Sequence, residues 1–358
     1  MNLRYNGSFK TSMLAALMSL MLCGVALGQS SATQVEVKLD AASRREVIEN
    51  TLKQVNELYV FPDVAKEVEK AIRARVAKKE YDEITSGLAF AQKLTFDLQA
   101  VTRDKHLRVQ FSERPLPERG DPRRRDPEQM RREGARNNFG FFKVEVLPGN
   151  IGYMDLRQFY RAALAADKAT AAMNFLADTD ALIIDIRKNG GGSADMVALL
   201  VSYLLGPDPV LINTAYFRPE NQTLESWTLK DLPGRRYTGK SVYVLTSGYS
   251  FSAAEEFAYD LQTQKRATIV GEVTGGGANP NTFVRIGNHF MLSVPIGRAI
   301  NPITKTNWEG VGVKPDVEVS QEQALKTAHS LALKRIMDAS TDEEQKASLR
   351  KIIEMVQK

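Results

Sequence analysis

The chain has 358 residues, 43% of them apolar, with 48 Lys and Arg against 43 Asp and Glu and 24 Gly with 14 Pro. That balance excludes collagen-like, low-complexity and largely disordered chains, and the length allows one large domain or two smaller ones. A formal charge of +5 at this size, with bases interleaved among acids, predicts no nucleic-acid partner.

The amino terminus has the layout of a secretory signal peptide. Arg4 and Lys10 precede an apolar run from Met13 to Leu27, and Ala26-Leu27-Gly28 places small residues where cleavage after Gly28 needs them. The run is about 15 residues, short of the roughly 20 that span a bilayer. A lipoprotein reading around Cys23 is the weaker alternative, because Leu22 stands where a small residue belongs. Cys23 is the single cysteine, so an intramolecular disulfide and a CxxC metal site are excluded. The expectation is an exported protein, periplasmic or secreted, whose mature chain begins near Gln29 and has no stable membrane span.

Three amphipathic helices are predicted next, forming a helical domain over 40–112. The first starts near Ser43, where Ser43 and Glu46 form a capping-box pair, and aligns Ile48, Leu52, Val55 and Tyr59 on one face. Phe61-Pro62-Asp63 breaks it and opens a second helix carrying Val64, Val68, Ile72 and Val76. The third, from about Gly87 to Ala100, aligns Phe90, Leu94 and Leu98. Residues 113–138 then change character, with prolines scattered among Arg123-Arg124-Arg125 and Arg131-Arg132. They read as a solvated, charged linker.

From Phe139 to about 320 the pattern is β/α. Strands are predicted at 141–146, 151–156, 181–186, 242–246, 268–271, 283–286 and 290–294, and helices at 161–177, 194–205, 253–264 and 321–338. Further helices fill 321–358. Ile286-Gly-Asn-His289 has the form of a tight hairpin. Ala181-Leu-Ile-Ile-Asp-Ile186 is apolar on both faces, as a strand covered by helices on each side would be.

Two glycine- and serine-rich junctions could carry chemistry. Asp185-Ile-Arg-Lys-Asn-Gly-Gly-Gly-Ser193 leaves a buried strand and opens a helix, so its backbone N–H groups can approach an anion. It has neither the GxGxxG spacing of a dinucleotide site nor the Gly-Lys-Ser/Thr of a phosphate loop. Thr246-Ser-Gly-Tyr-Ser-Phe-Ser-Ala-Ala-Glu-Glu256 puts Ser252 at a helix start, where it can be a cap or an exposed nucleophile. His289 and His329 read as structural or surface residues, whereas His106 lies at a domain junction from which it can reach a cleft. No cluster of His, Cys and carboxylates has ligand spacing, so no metal and no cofactor are expected.

Taken with Asn150-Ile-Gly-Tyr-Met-Asp-Leu156, Gly271-Glu-Val-Thr274 and Glu309-Gly-Val-Gly-Val-Lys-Pro-Asp316, these junctions resemble the S41 peptidases. That family includes the carboxyl-terminal-processing (tail-specific) proteases, the tricorn protease core and the repeats of interphotoreceptor retinoid-binding protein. The resemblance covers roughly residues 40–320 and implies an α/β core of the ClpP/crotonase-like type joined to an amino-terminal helical bundle. It implies Ser252 as nucleophile, with Gly191 and Ala253 lending oxyanion-hole N–H groups. The processing branch places a base lysine where this chain has Gly277, so its Ser–Lys pair is absent. The tricorn-like branch uses serine, histidine and glutamate, and the matching positions here are His106 and Glu309. The resemblance thus implies an exported serine peptidase acting on a protein or peptide substrate. Residues 107–138 are too few and too polar for a PDZ-like module. The alternative is a non-catalytic binding protein for an apolar ligand or peptide on the same fold.

Overall fold

The structure, a computed structural model, describes residues 38–117 and 127–357. The signal-peptide reading of residues 1–28 falls outside them, as does Arg123-Arg124-Arg125. Helices α1 (Ala41–Leu58), α2 (Pro62–Ala77) and α3 (Gly87–Thr102) come first. Asp40, in extended conformation, caps α1 by accepting the Ser43 N–H at 2.7 Å. The Ser43–Glu46 start is therefore corrected, because the cap oxygen comes from a residue one turn earlier and Ser43 lies inside the helix. Pro62 occupies the first turn of α2, where its missing N–H costs nothing. Leu52, Val55, Val68, Ile72, Phe90, Leu94 and Leu98 are buried, whereas Val76, in the last turn of α2, is exposed.

The helices do not close a core alone. Strand β1 (Arg108–Phe111) pairs antiparallel with β10 (Phe290–Pro295), which pairs with β9 (Asn281–Gly287) across the expected hairpin. Ile286, Phe290, Leu292 and Val294 complete the apolar cluster of the three helices. Part of the segment read as a linker is also folded. It forms α4 (Pro127–Arg136) and a short 3-10 turn at Asn138–Gly140. Gly134 seats α4 so closely that a Cβ there would stand 2.6 Å from the Phe139 ring and 3.2 Å from that of Tyr160. The charge of this helix hid it, because its contact to the body is made through glycine rather than an apolar stripe.

The main sheet has six strands in the order β12-β8-β7-β4-β3-β2, parallel except for the β2–β3 pair. These are β2 (Phe141–Leu147), β3 (Ile151–Leu156), β4 (Ala181–Asp185), β7 (Ser241–Thr246), β8 (Thr268–Gly271) and β12 (Val317–Glu318). One face packs on α5 (Ala162–Leu176), α6 (Ala194–Leu204) and α7 (Ala253–Thr263). The other face packs on α8 (Gln321–Ala339) and α9 (Glu343–Gln357). Strand β4 shows why its sequence is apolar throughout: Leu182 and Ile184 enter one core, Ala181 and Ile183 the other. A smaller sheet, β11 (Gly297–Ile300), β5 (Leu211–Phe217) and β6 (Gln222–Trp227), lies beyond α6 in the chain. Its strands escape a sequence reading because β6 is almost wholly exposed and carries no buried alternation. Among the described residues no helix is long and apolar enough to cross a membrane.

Candidate active site

The neighbouring parallel strands β4 and β7 end side by side, and the two junctions singled out in the sequence leave from those ends. Loops at the carboxyl ends of parallel strands are where α/β sheets bind ligands. Ser252 sits at the N-cap of α7 with φ 57° and ψ −122°, a backbone conformation that costs a non-glycine residue about 1–3 kcal/mol. It makes no side-chain cap, and the Glu255 N–H goes instead to the Ser252 carbonyl at 2.8 Å. Among the described residues no protein acceptor takes the N–H of Ala253, the first residue of α7. Gly191 packs against this turn at φ 108°, where a Cβ would stand 2.8 Å from the Ser252 Cβ. Only glycine fits both the angle and the space. The Gly191 N–H is donated to Asn189 Oδ1 at 2.8 Å.

The strained turn is held by a residue that the sequence reading passed over. Glu255 is fully buried, and its carboxylate accepts the Ser252 N–H at 2.8 Å, the Gly276 and Gly277 N–H groups at 2.6 and 2.8 Å, and the Thr274 hydroxyl at 2.5 Å. Burial pushes its carboxyl up, and those four donors oppose the rise. The signal was present in the sequence, because Ser252 followed three residues later by Glu255 is a capping-box pair. Ser247 and Ser250 do something different. Their buried hydroxyls donate to the Arg187 and Ile186 carbonyls and so tie the β7 loop to the β4 loop.

His106 reaches the same cleft from the junction between α3 and β1. Arg103 ends α3 in the left-handed conformation, and Asp104 then accepts the His106 N–H at 2.9 Å. The other oxygen of Asp104 accepts from Asn279 Nδ2 at 2.8 Å, fixing the loop to the chain near 275–280. The His106 ring is 6% exposed and lies 4.7 Å from the Phe251 ring, centroid to centroid. A Cβ on Gly277 would stand 2.2 Å from Phe251 and 2.8 Å from His106 Cε1. Gly277, the position that the sequence resemblance matches to the processing branch's lysine, is therefore crowded by two rings that would have to shift to admit a side chain.

Glu309 follows Trp308, whose indole N–H donates to the Gly277 carbonyl at 2.9 Å. One of its carboxylate oxygens accepts the Ala278 and Asn279 N–H groups at 2.5 and 3.1 Å. The other is buried without a partner, as is His106 Nδ1. One donor atom from each of Asp104, His106 and Glu309 lies within 4.8 Å of the others. Burial and the neighbouring Asp104 raise the Glu309 carboxyl to about 7. Burial, then the positive charge of Arg108, lowers the His106 imidazole to about 4. Two carboxylates and an imidazole could also hold a divalent cation. Local spacing could not show this set, since Asp104 and His106 are far from Glu309 in the chain.

His106 and Ser252 line one cleft of about 1050 Å³ together with Gly190, Gly192 and Phe251. Among the described residues no hydrogen bond joins the two side chains. His289 and His329 stand apart as structural residues, their ring nitrogens bonded to the Ser112 and Pro148 carbonyls at 2.9 and 2.8 Å.

Residues 150–319 match the model of peptidase family S41, and residues 36–148 match the N-terminal domain of peptidase S41 in eukaryotic IRBP. A carboxy-terminal-processing protease of Bartonella bacilliformis is 29% identical over 185 residues, 50% of this chain and 40% of that protein. The tricorn protease of Thermoplasma volcanium is 26% identical over 128 residues, 36% of this chain and 10% of that protein. A solved structure of a candidate peptidase from Parabacteroides merdae aligns with TM-score 0.59 at 18% identity, covering 81% of this chain and 97% of that one. The match takes in less than half the length of the processing-protease relatives, 40% of the Bartonella protein and 39% of one from Synechocystis.

Proposed function

The chain belongs to peptidase family S41, and from that premise we propose that it is a serine peptidase working through Ser252, His106 and Glu309. The carrying observation is the shared cleft: a strained serine with a spare hydroxyl faces it beside a buried neutral histidine, behind which stands a carboxylate. His106 accepts the Ser252 proton as the Oγ attacks the peptide carbonyl carbon. The imidazolium then gives that proton to the departing amine, leaving an acyl-serine that water hydrolyses by the same relay. Glu309 accepts the Nδ1–H and stabilises the imidazolium. Closing that contact satisfies two buried atoms whose lack of partners costs about 1–3 kcal/mol each.

The oxyanion forms beside the N-terminus of α7, where the Ala253 N–H is available. The second donor, Gly191, first has to exchange its Asn189 acceptor for the oxyanion. Contacts of this kind tighten when substrate binds. Gly277 supports this base over a lysine, since His106 and Phe251 occupy the space a lysine stem needs.

A fluorophosphonate probe tests the reading. It should label the protein at one site, and Ser252→Ala should abolish both labelling and peptide hydrolysis while the fold is retained. Undiminished labelling of that variant refutes the assignment. Export through residues 1–28 is part of the same proposal. Amino-terminal sequencing of material recovered outside the cytoplasm should begin near Gln29, and an intact Met1 there refutes it.

A further inference from the structure

The cleft that Ser252 lines is also lined by three arginines from three different places in the fold: Arg108 on β1, Arg136 at the end of α4 and Arg161 at the start of α5. All three are exposed, and among the described residues none makes an ion pair or a side-chain hydrogen bond. Several arginines elsewhere in the fold are engaged instead. Arg157, Arg187 and Arg235 are paired with Asp155, Asp185 and Asp178, and Arg218, Arg236 and Arg266 donate to backbone carbonyls. The only acid lining the cleft among the described residues is Glu133, and it already accepts from Gln129. Three like charges thus converge on one cavity against a single lining acid among the described residues, Glu133. The backbone that carries Arg136 is anchored, since Gly134 packs α4 closely against Phe139 and Tyr160.

We propose that this cleft selects peptide segments bearing acidic side chains close to the bond that is cut. The proposal rests on the peptidase reading for its reaction, but its recognition step stands on the arginines alone. A guanidinium presents two parallel N–H donors that match a carboxylate, so each acidic side chain can take a bidentate partner. A neutral segment leaves the three charges facing one another, and a basic one adds to the repulsion. The helix that the charged sequence 127–136 forms is, on this reading, part of the specificity wall.

The test uses two pools of end-blocked, internally quenched peptides that are identical except for Glu in one and Gln in the other. Acetylated amino ends and amidated carboxyl ends remove terminal carboxylate as a source of the effect. The Glu pool should be cleaved with kcat/KM about tenfold higher. Raising the salt concentration should shrink that advantage. An Arg136→Glu/Arg161→Glu double variant should lose the preference for Glu and gain one for a matched Lys pool. Where the pools are cleaved, equal rates on Glu and Gln, or a preference unchanged in the double variant, overturn the proposal. A second arm measures binding of the labelled pools to the Ser252→Ala protein by fluorescence anisotropy. If wild type cuts neither pool yet the Glu pool binds about tenfold tighter, the peptidase reading falls and acidic selection stands. Equal binding of the two pools, or no measurable binding of the Glu pool, overturns acidic selection.

Discussion

Glu309 and His106 are displaced from their usual titration in opposite directions, and each displacement has a consequence that can be measured. The Glu309 carboxyl is raised from 4.5 to about 7, so the folded protein holds a proton there that the unfolded chain releases. Its contribution to stability is full below about pH 4.5 and is lost as the pH rises through about 7. His106 is lowered from 6.5 to about 4. Its contribution is present above pH 6.5 and is lost as the pH falls through about 4. For catalysis the two requirements combine, since the base must be neutral and the orienting carboxylate charged. The value of kcat/KM should therefore climb through about pH 7, where Glu309 ionises. Glu309→Gln should remove that step and lower kcat by about 10²–10⁴-fold, less than loss of Ser252 or His106. The same variant should melt a few degrees higher than wild type at pH 8, with the gain gone at pH 5. A pH–rate profile with no inflection near 7, or a wild-type melting temperature at pH 8, counts against a raised Glu309.

At the scale of elements, the β9–β10 hairpin determines where His106 stands. Leu292 on β10 is opposite Val109 on β1 and is fully buried in the core shared with Phe90 and Leu94 of α3. His106 lies in the short junction between α3 and β1, so loosening that core should free the proposed base. Leu292→Ala should cost about 2–5 kcal/mol in urea unfolding. Leu333→Ala, in the separate core under α8, should cost a similar amount. Well below the melting temperature the first variant should lose peptide hydrolysis more than the second. Equal activity in the two variants refutes the coupling. This sharing of a core was hidden from the sequence, because periodicity reveals which face of a helix is apolar but not which distant strand will cover it.

Over the whole molecule, the legible part was the parallel sheet with its covering helices. Strands such as β3 and β4 are short apolar runs, and the loops that leave β4 and β7 are rich in glycine and serine, a combination with few structural alternatives. The small sheet of β5, β6 and β11 was not legible, since β6 is exposed without alternation and β11 is only four residues long. Nor was α4, which docks through Gly134. Within the candidate site, Ser252, His106 and Glu309 stood out through their places in an ordered set of motifs. Asp104, Asn279 and Phe251 did not, because each acts through a partner far along the chain: Asp104 on Asn279, and Phe251 on His106 and Gly277.

The close approach of Phe251 and His106 to Gly277 makes the choice of base a packing problem. A lysine and an imidazole are alternative occupants of one volume, so neither can be introduced while the other remains. Replacing Gly277 with lysine alone drives its stem into two rings, and on the proposed assignment removing His106 alone leaves Ser252 with no proton acceptor. A route between the two chemistries has to change positions 106, 251 and 277 together, through intermediates that neither pack well nor cut. Related sequences should accordingly carry these three positions as a linked unit, and an engineer who wants the other base has to move all three at once.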